Sequence, residues 1–209
     1  ILLMAACAVL LVCISVGATV AYLTSTDSVK NTFTVGKVAI TLDEAKVNAD
    51  GTAVTPAERV KANSYKLLPG HEYIKDPTVH FAAGSEASYL FVKVENDIAS
   101  IEDAYPYAEG KSGTIAQQIV ANEWTLLGDY TNIYYKKVDA NTTTNNRDYP
   151  VFAGFKVKGN ANVEDFAPIV SIGPNGEVDV PRKVTVTAYA IQADGFKTAA
   201  AAWTAGGFN

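Results

Sequence analysis

Two histidines, His71 and His80, are the side chains here best suited to hold a metal or move a proton near neutral pH. No His-Glu-x-x-His is present, the helical spacing that sets two imidazoles on one face with a carboxylate as base. His71-Glu72 runs instead into Tyr73-Ile74, strand-like sequence without a second histidine at that interval. A catalytic zinc needs three protein ligands and an open position, which these two histidines and a stray carboxylate would supply only by accident of folding. Nucleophilic catalysis fares no better, since there is no Gly-x-Ser-x-Gly and no Ser and Asp constellation around either histidine. Both cysteines, Cys7 and Cys13, lie in an apolar leader, so a chain without the leader has no thiol.

The remaining chemical candidates read as structural. The pairs Glu102-Asp103 and Glu164-Asp165 are adjacent in sequence and are expected on solvated turns rather than as a glycosidase dyad. No phosphate-binding or dinucleotide loop is present, and Asp50-Gly51 lacks the ligand spacing of a calcium loop. Tyr130, Tyr134 and Tyr135 cluster as a carbohydrate or partner platform would. Tyrosine also favours strands with its hydroxyl at the rim, so a core or surface-ladder role stands beside the platform. The sequence thus predicts no catalytic residue, no metal site and no cofactor.

The elements that would carry such residues follow from composition and pattern. The chain has 209 residues, 22 acidic against 17 basic, for a formal charge of -5, which argues against a nucleic-acid footprint. Its 48% hydrophobic content is too high for a disordered chain, and its length suits one domain. The first 23 residues contain no Asp, Glu, Lys, Arg or His. An apolar run from Ile1 to Val16 ends in Gly17-Ala18-Thr19-Val20-Ala21, the pattern of a secretory signal helix cleaved between Ala21 and Tyr22. A basic n-region is missing and the chain opens on Ile1, which places the expected start upstream. A retained membrane anchor is the other reading, because ~20 apolar residues suffice to span a bilayer.

Beyond the leader the chain reads as β. Phe33 and Val35 alternate in one parity and Val38, Ile40 and Leu42 in the other, so a bulge is expected at Gly36-Lys37. Residues 48–64 form a polar connection expected to be exposed. A strand carrying Tyr73, Val79 and Phe81 contains Pro77, which predicts an edge or bulged strand. Ser88 to Glu95 is apolar on both faces and should be central. Ser112 is placed as the cap of a short helix holding Ile115 and Ile119. A hairpin pairs 124–127 with 133–138, and 151–158 should be a strand with Val151, Ala153, Phe155 and Val157 on one face. One helical turn at 162–166, a turn at 174–176, a strand at 184–191 and an alanine-rich helix at 198–203 complete the pattern. The pattern predicts an all-β sandwich with short helical insertions.

Three separated stretches resemble the TasA/camelysin family, secreted proteins of Gram-positive bacteria that form biofilm matrix fibres. They are Gly17-Ala18-Thr19-Val20-Ala21-Tyr22-Leu23 leading to Asn31-Thr32-Phe33-Thr34-Val35-Gly36-Lys37-Val38, then Leu68-Pro69-Gly70-His71-Glu72-Tyr73, then Ala188-Tyr189-Ala190-Ile191-Gln192-Ala193-Asp194-Gly195-Phe196 with Trp203. The first is similar to a signal handled by a SipW-type peptidase. The second departs from the family's Leu-x-Pro-Gly-Asp in having His71 where Asp is usual.

The resemblance implies a jelly-roll-like sandwich over 38–209, a signal peptide over 1–21, and a donor segment over 22–37. In that scheme Leu23, Val29, Phe33 and Val35 would enter a neighbour's sheet. The implied function is a secreted fibre subunit of the extracellular matrix or cell surface, joined head to tail with copies of itself and with other matrix proteins as further partners. It would touch a membrane only through an uncleaved leader. A monomeric cell-surface adhesion module on the same sandwich is the alternative, in which the segment pairs with its own subunit. The family's old association with a metallo-endopeptidase supplies the third reading.

Overall fold

The structure is a computed structural model that describes residues 24–26, 37–162, 164–167, 169–173, 176–180 and 182–208. In chain order the strands are β1 (Thr24–Thr26), β2 (Ile40–Ala45), β3 (Arg59–Val60), β4 (Glu72–Ile74), β5 (Thr78–Phe81) and β6 (Ser88–Asn96). There follow β7 (Glu102–Asp103), β8 (Tyr105–Ala108), β9 (Lys111–Gly113), β10 (Thr125–Leu126) and β11 (Ile133–Val138). The last are β12 (Arg147–Pro150), β13 (Gly154–Val157), β14 (Ile169–Gly173), β15 (Gly176–Val180) and β16 (Val184–Gln192). Helix α1 (Ile115–Ala121) lies between β9 and β10, and α2 (Ala199–Gly206) follows β16.

Two sheets enclose the main core, which makes the fold an all-β sandwich. One has the order β1-β16-β6-β11-β10 and the other β12-β5-β2-β3, with β4-β13-β7 as a smaller third sheet. The period-2 alternation of β6 decides the layering: Leu90, Val92 and Val94 face the main core, while Tyr89 and Phe91 face the opposite side. β16 repeats the division, sending Ala188 and Ala190 inward and Tyr189 and Ile191 outward. Neither face of this sheet is bare, because Trp203 of α2 and Phe208 cover the outer one. The Trp203 ring lies 5.2 Å from Phe91 and 5.4 Å from Tyr189, both edge-to-face. As expected, β6 is interior, the 124–138 hairpin forms and the alanine-rich stretch is a helix, α2, where Thr198 accepts a hydrogen bond from Ala201 N as its cap.

Several local expectations give way to tertiary packing. Pro77 is neither bulged nor on an edge strand; it falls between β4 and β5, where the chain leaves one sheet for another, so no ladder needs its missing N–H. Helix α1 is capped at Thr114, not Ser112, and Gln117 Oε1 accepts from Thr114 N at 2.9 Å. Strand β13 begins only at Gly154, since the Val151 N–H turns to Pro77 O at 2.8 Å. The 48–64 connection is not simply exposed. It carries β3, and Gly51 is buried with φ +83°, where an added Cβ would stand 2.6 Å from the Tyr73 ring.

Glu102 is likewise buried rather than on a solvated turn. Its carboxylate accepts from Ile115 N, at the start of α1, and from Asn96 Nδ2, while burial pushes its pKa up. Glu164-Asp165 does sit on a 3-10 turn. The signal helix and the bulge at Gly36 lie outside the described residues, and among those described no helix is long and apolar enough to cross a membrane.

Candidate functional site

The flank of β16 opposite β6 is where sheet edge and cleft coincide among the described residues. On one side β16 pairs with β6 along its whole length, from Val184↔Asn96 to Gln192↔Ser88. On the other side β1 covers it at Thr24↔Ile191, Ser25↔Ala190 and Thr26↔Tyr189. Nearer its start, Val184, Thr185 and Val186 are half-buried and wall a cleft of about 420 Å3 whose opposite side is Leu42 and Glu44 of β2. A second cavity of about 250 Å3, with Tyr65, Leu67, Ile98 and Phe155 in its walls, shares Asn63, Lys75, Lys183 and Val184 with the first. The two read as one groove along the mouth of the sandwich, with Glu44, Asn63 and Lys75 at its polar end and Arg182 and Lys183 standing among the apolar side chains at the other.

The polar end holds a closed network. Lys75 Nζ is 2.5 Å from Glu44 Oε2, with side chains only 10% and 5% exposed. Asn63 Nδ2 donates to Glu44 Oε1 at 2.9 Å and to Ala45 O at 2.8 Å, and its Oδ1 accepts from Val47 N at 3.0 Å. That pattern fixes which end of the carboxamide is nitrogen, because two acceptors face Nδ2 and a donor faces Oδ1. Every buried polar side-chain atom among the described residues has a partner. An ion pair taken this far out of water gains little net stability, since desolvation offsets attraction.

On the outer face of the second sheet, His80 joins three strands. Its Nδ1 is 2.6 Å from Asp148 Oδ1 on β12 and its Nε2 is 2.9 Å from Asp43 Oδ1 on β2. Arg59 of β3 then binds Asp43 through Nε at 2.6 Å and Asp76 through a terminal nitrogen at 2.7 Å. Carboxylates on opposite ring nitrogens cannot converge on one ion. His71 stands apart at an exposed turn, its ring 6.5 Å from that of Tyr73. Among the described residues no three His, Cys, Asp or Glu side chains gather as a metal site.

Burial opposes the charge on His80, but hydrogen bonds and negative charge from Asp43 and Asp148 outweigh it and hold the pKa above 6.5. A raised folded value means stabilisation that is complete below about pH 6.5 and lost as pH rises through the folded value. Asp43 is depressed below 3.8 despite partial burial, by His80 and Arg59, so its share is lost only as pH falls through that lower value. His80→Gln is therefore expected to cost most stability near pH ~5.5 and progressively less toward pH ~9, read as urea midpoints. An equal cost at both ends would show that the imidazolium charge is not what holds the three strands.

The three clustered tyrosines do not form a platform. Tyr134 is buried in the main core, Tyr135 lies against the outer cluster on the other face, and Tyr130 is exposed with its ring 5.9 Å from Trp203. The expected cleavage pair Ala21 and Tyr22 and the expected donor residues Leu23, Val29, Phe33 and Val35 all lie outside the described residues, flanking β1. Sequence reasoning did not find the groove or the Glu44, Asn63 and Lys75 network. Their spacing has no local signature, and only a Lys followed by Asp76-Pro77 at a strand end hinted that Lys75 sits at a sheet change.

The class defined by fold and site is an all-β sandwich with a partly covered edge strand beside a groove. No protein-family model, no curated protein and no solved structure matches the chain.

Proposed function

We propose that the chain is a secreted structural subunit of an extracellular, biofilm-matrix fibre, released between Ala21 and Tyr22 and polymerised by donation of its N-terminal segment to the next copy. The observation that carries this reading is the pairing of Thr24–Thr26 with the outer edge of β16, directly up the strand from the groove. A strand on an edge satisfies backbone groups whether it comes from its own subunit or another. When the contact is heterologous, exchange between copies builds a filament unless rotation closes a ring.

The register adds a second support. Ser25 pairs with Ala190, whose side chain belongs to the main core, so an unbulged continuation of the donor would place odd positions inward. Position 29 would then meet Val186 at the cleft, and position 33 would meet Arg182 at the apolar cavity. Val29, Phe33 and Val35 are the apolar residues at those odd positions. The resemblance of the leader and of Leu68 to Tyr73 points the same way.

A monomeric surface-binding module is the second reading, favoured by the fact that β1 pairs within its own chain. A secreted metallo-endopeptidase has no support from the histidine geometry. Negative-stain microscopy of chains beginning at Tyr22 and at Gly36 separates the readings. Filaments from the first and folded monomers from the second are expected. Filaments from both would remove the segment from the mechanism, and monomers from both would favour the binding module.

A further inference from the structure

We propose that Lys75 and Asn63 become covalently joined by an isopeptide bond, with Glu44 as the acid–base group that drives the reaction. The buried network beside the groove gathers an amine, a carboxamide and an acid–base group around one carboxylate. The nucleophile is Lys75 Nζ, held 2.5 Å from Glu44 Oε2. The leaving nitrogen is Asn63 Nδ2, held 2.9 Å from the other oxygen of the same carboxylate. One carboxylate thus bridges the attacking and departing groups. The backbone N–H of Val47, 3.0 Å from Asn63 Oδ1, stands where negative charge would develop.

The proton and bond inventory closes without any further reactant. Lys75 passes a proton to Glu44 Oε2 along the short contact, which exposes the lone pair of a desolvated amine. That pair attacks Asn63 Cγ, the new C–N bond forms, and the carbonyl electrons shift onto Oδ1 beneath the Val47 N–H. Glu44 takes a second proton from Nζ as it gives one to Nδ2. The Cγ–Nδ2 bond then breaks, the carbonyl re-forms, and the departing ammonia takes the remaining proton from Glu44. The ammonium of Lys75 and the carboxamide of Asn63 have become a secondary amide and an ammonium ion, and Glu44 is again a carboxylate. Nothing is oxidised or reduced.

Position supplies the rate. Holding both partners on one carboxylate converts a slow bimolecular aminolysis into an intramolecular one. Only 8% of Lys75 is exposed, so bulk water does not compete for the amine, while the adjoining cleft leaves a path for ammonia to depart. The product would staple the strand carrying Glu72–Ile74 to the segment after Arg59–Val60, beside the groove but independent of whether a neighbour fills it.

Intact mass spectrometry of the purified full chain under denaturing conditions tests the proposal. The expected mass is lower than the sequence mass by one ammonia, about 17 Da, with fragmentation locating one linked peptide pair that holds Lys75 and Asn63. Glu44→Gln should carry the full mass of its own sequence and give no linked pair. An unmodified parent mass overturns the proposal whatever the variant does. Loss of ammonia without a linked pair means an Asn63 succinimide and also overturns it. Loss of water with a Lys75 to Glu44 link makes Glu44 the acceptor and refutes the assignment of Asn63. A Glu44→Gln chain that links as fully as its parent removes Glu44 from the reaction.

Discussion

Chains carrying Phe33→Asp or Val35→Asp are expected to stay monomeric under conditions in which the parent chain forms filaments, with an unchanged melting curve for the subunit. The two halves of that expectation have separate causes. In the strand-donation reading these side chains serve the neighbouring copy, so each sandwich is expected to keep its own packing. A donated Phe33 would reach the cavity lined by Leu67, Ile98 and Phe155, and its burial contributes about 1.5–3 kcal/mol to each contact. Losing that alone weakens a contact roughly tenfold to a hundredfold. A filament repeats the loss at each joint, so growth stops rather than slows. A free peptide covering residues 22–35 should cap parent filaments, and the same peptide with Phe33→Asp should not. Sedimentation that finds both variants polymerising normally would exclude these side chains from the joint.

Trp124→Ala is expected to be the most damaging single change to the subunit itself. Trp124 follows α1, is 1% exposed, and fills the main core while its Nε1 donates to Pro150 O at 2.9 Å. Lys136 Nζ stands 5.9 Å from the indole and donates to Asn122 O, so the ring also supports a half-buried amine. Truncating a buried tryptophan costs about 3–5 kcal/mol. Domains have only about 5–15 kcal/mol of stability, and for this size each kcal/mol is worth about 2–4 °C. The melting temperature should therefore fall by roughly 6–20 °C, with a smaller fall for Trp124→Phe, which keeps most of the volume. A melt within about 2 °C of the parent would mean that the site collapses around the smaller side chain and that the ring is not a keystone.

What the sequence by itself determined was the set of pieces. A run apolar on both faces marked 88–95 as a strand, a hairpin pattern marked 133–138, alternating small and large residues marked 184–191, and an alanine-rich stretch from Thr198 marked α2; together they implied an all-β sandwich. These features are legible because side-chain direction in a strand and capping at a helix end are local, settled within a few residues. The leader and the apolar residues after it were legible as composition.

Only the tertiary structure decided which pieces meet. Period-2 alternation says which face a residue takes but not which strand lies beside it, so the pairing of β16 with β6 on one edge and β1 on the other could not be read off. The local signal misled where long-range partners rewrote a residue's surroundings. Glu102 reads as a turn carboxylate until α1 brings Ile115 N to it, and Pro77 reads as a strand breaker until the chain changes sheets there. Glu44, Asn63 and Lys75 share no motif, and neither do Asp43, His80 and Asp148. Their chemistry exists because separate strands carry them to one point, where excluded water and fixed distances give ordinary side chains partners that the sequence never placed next to them.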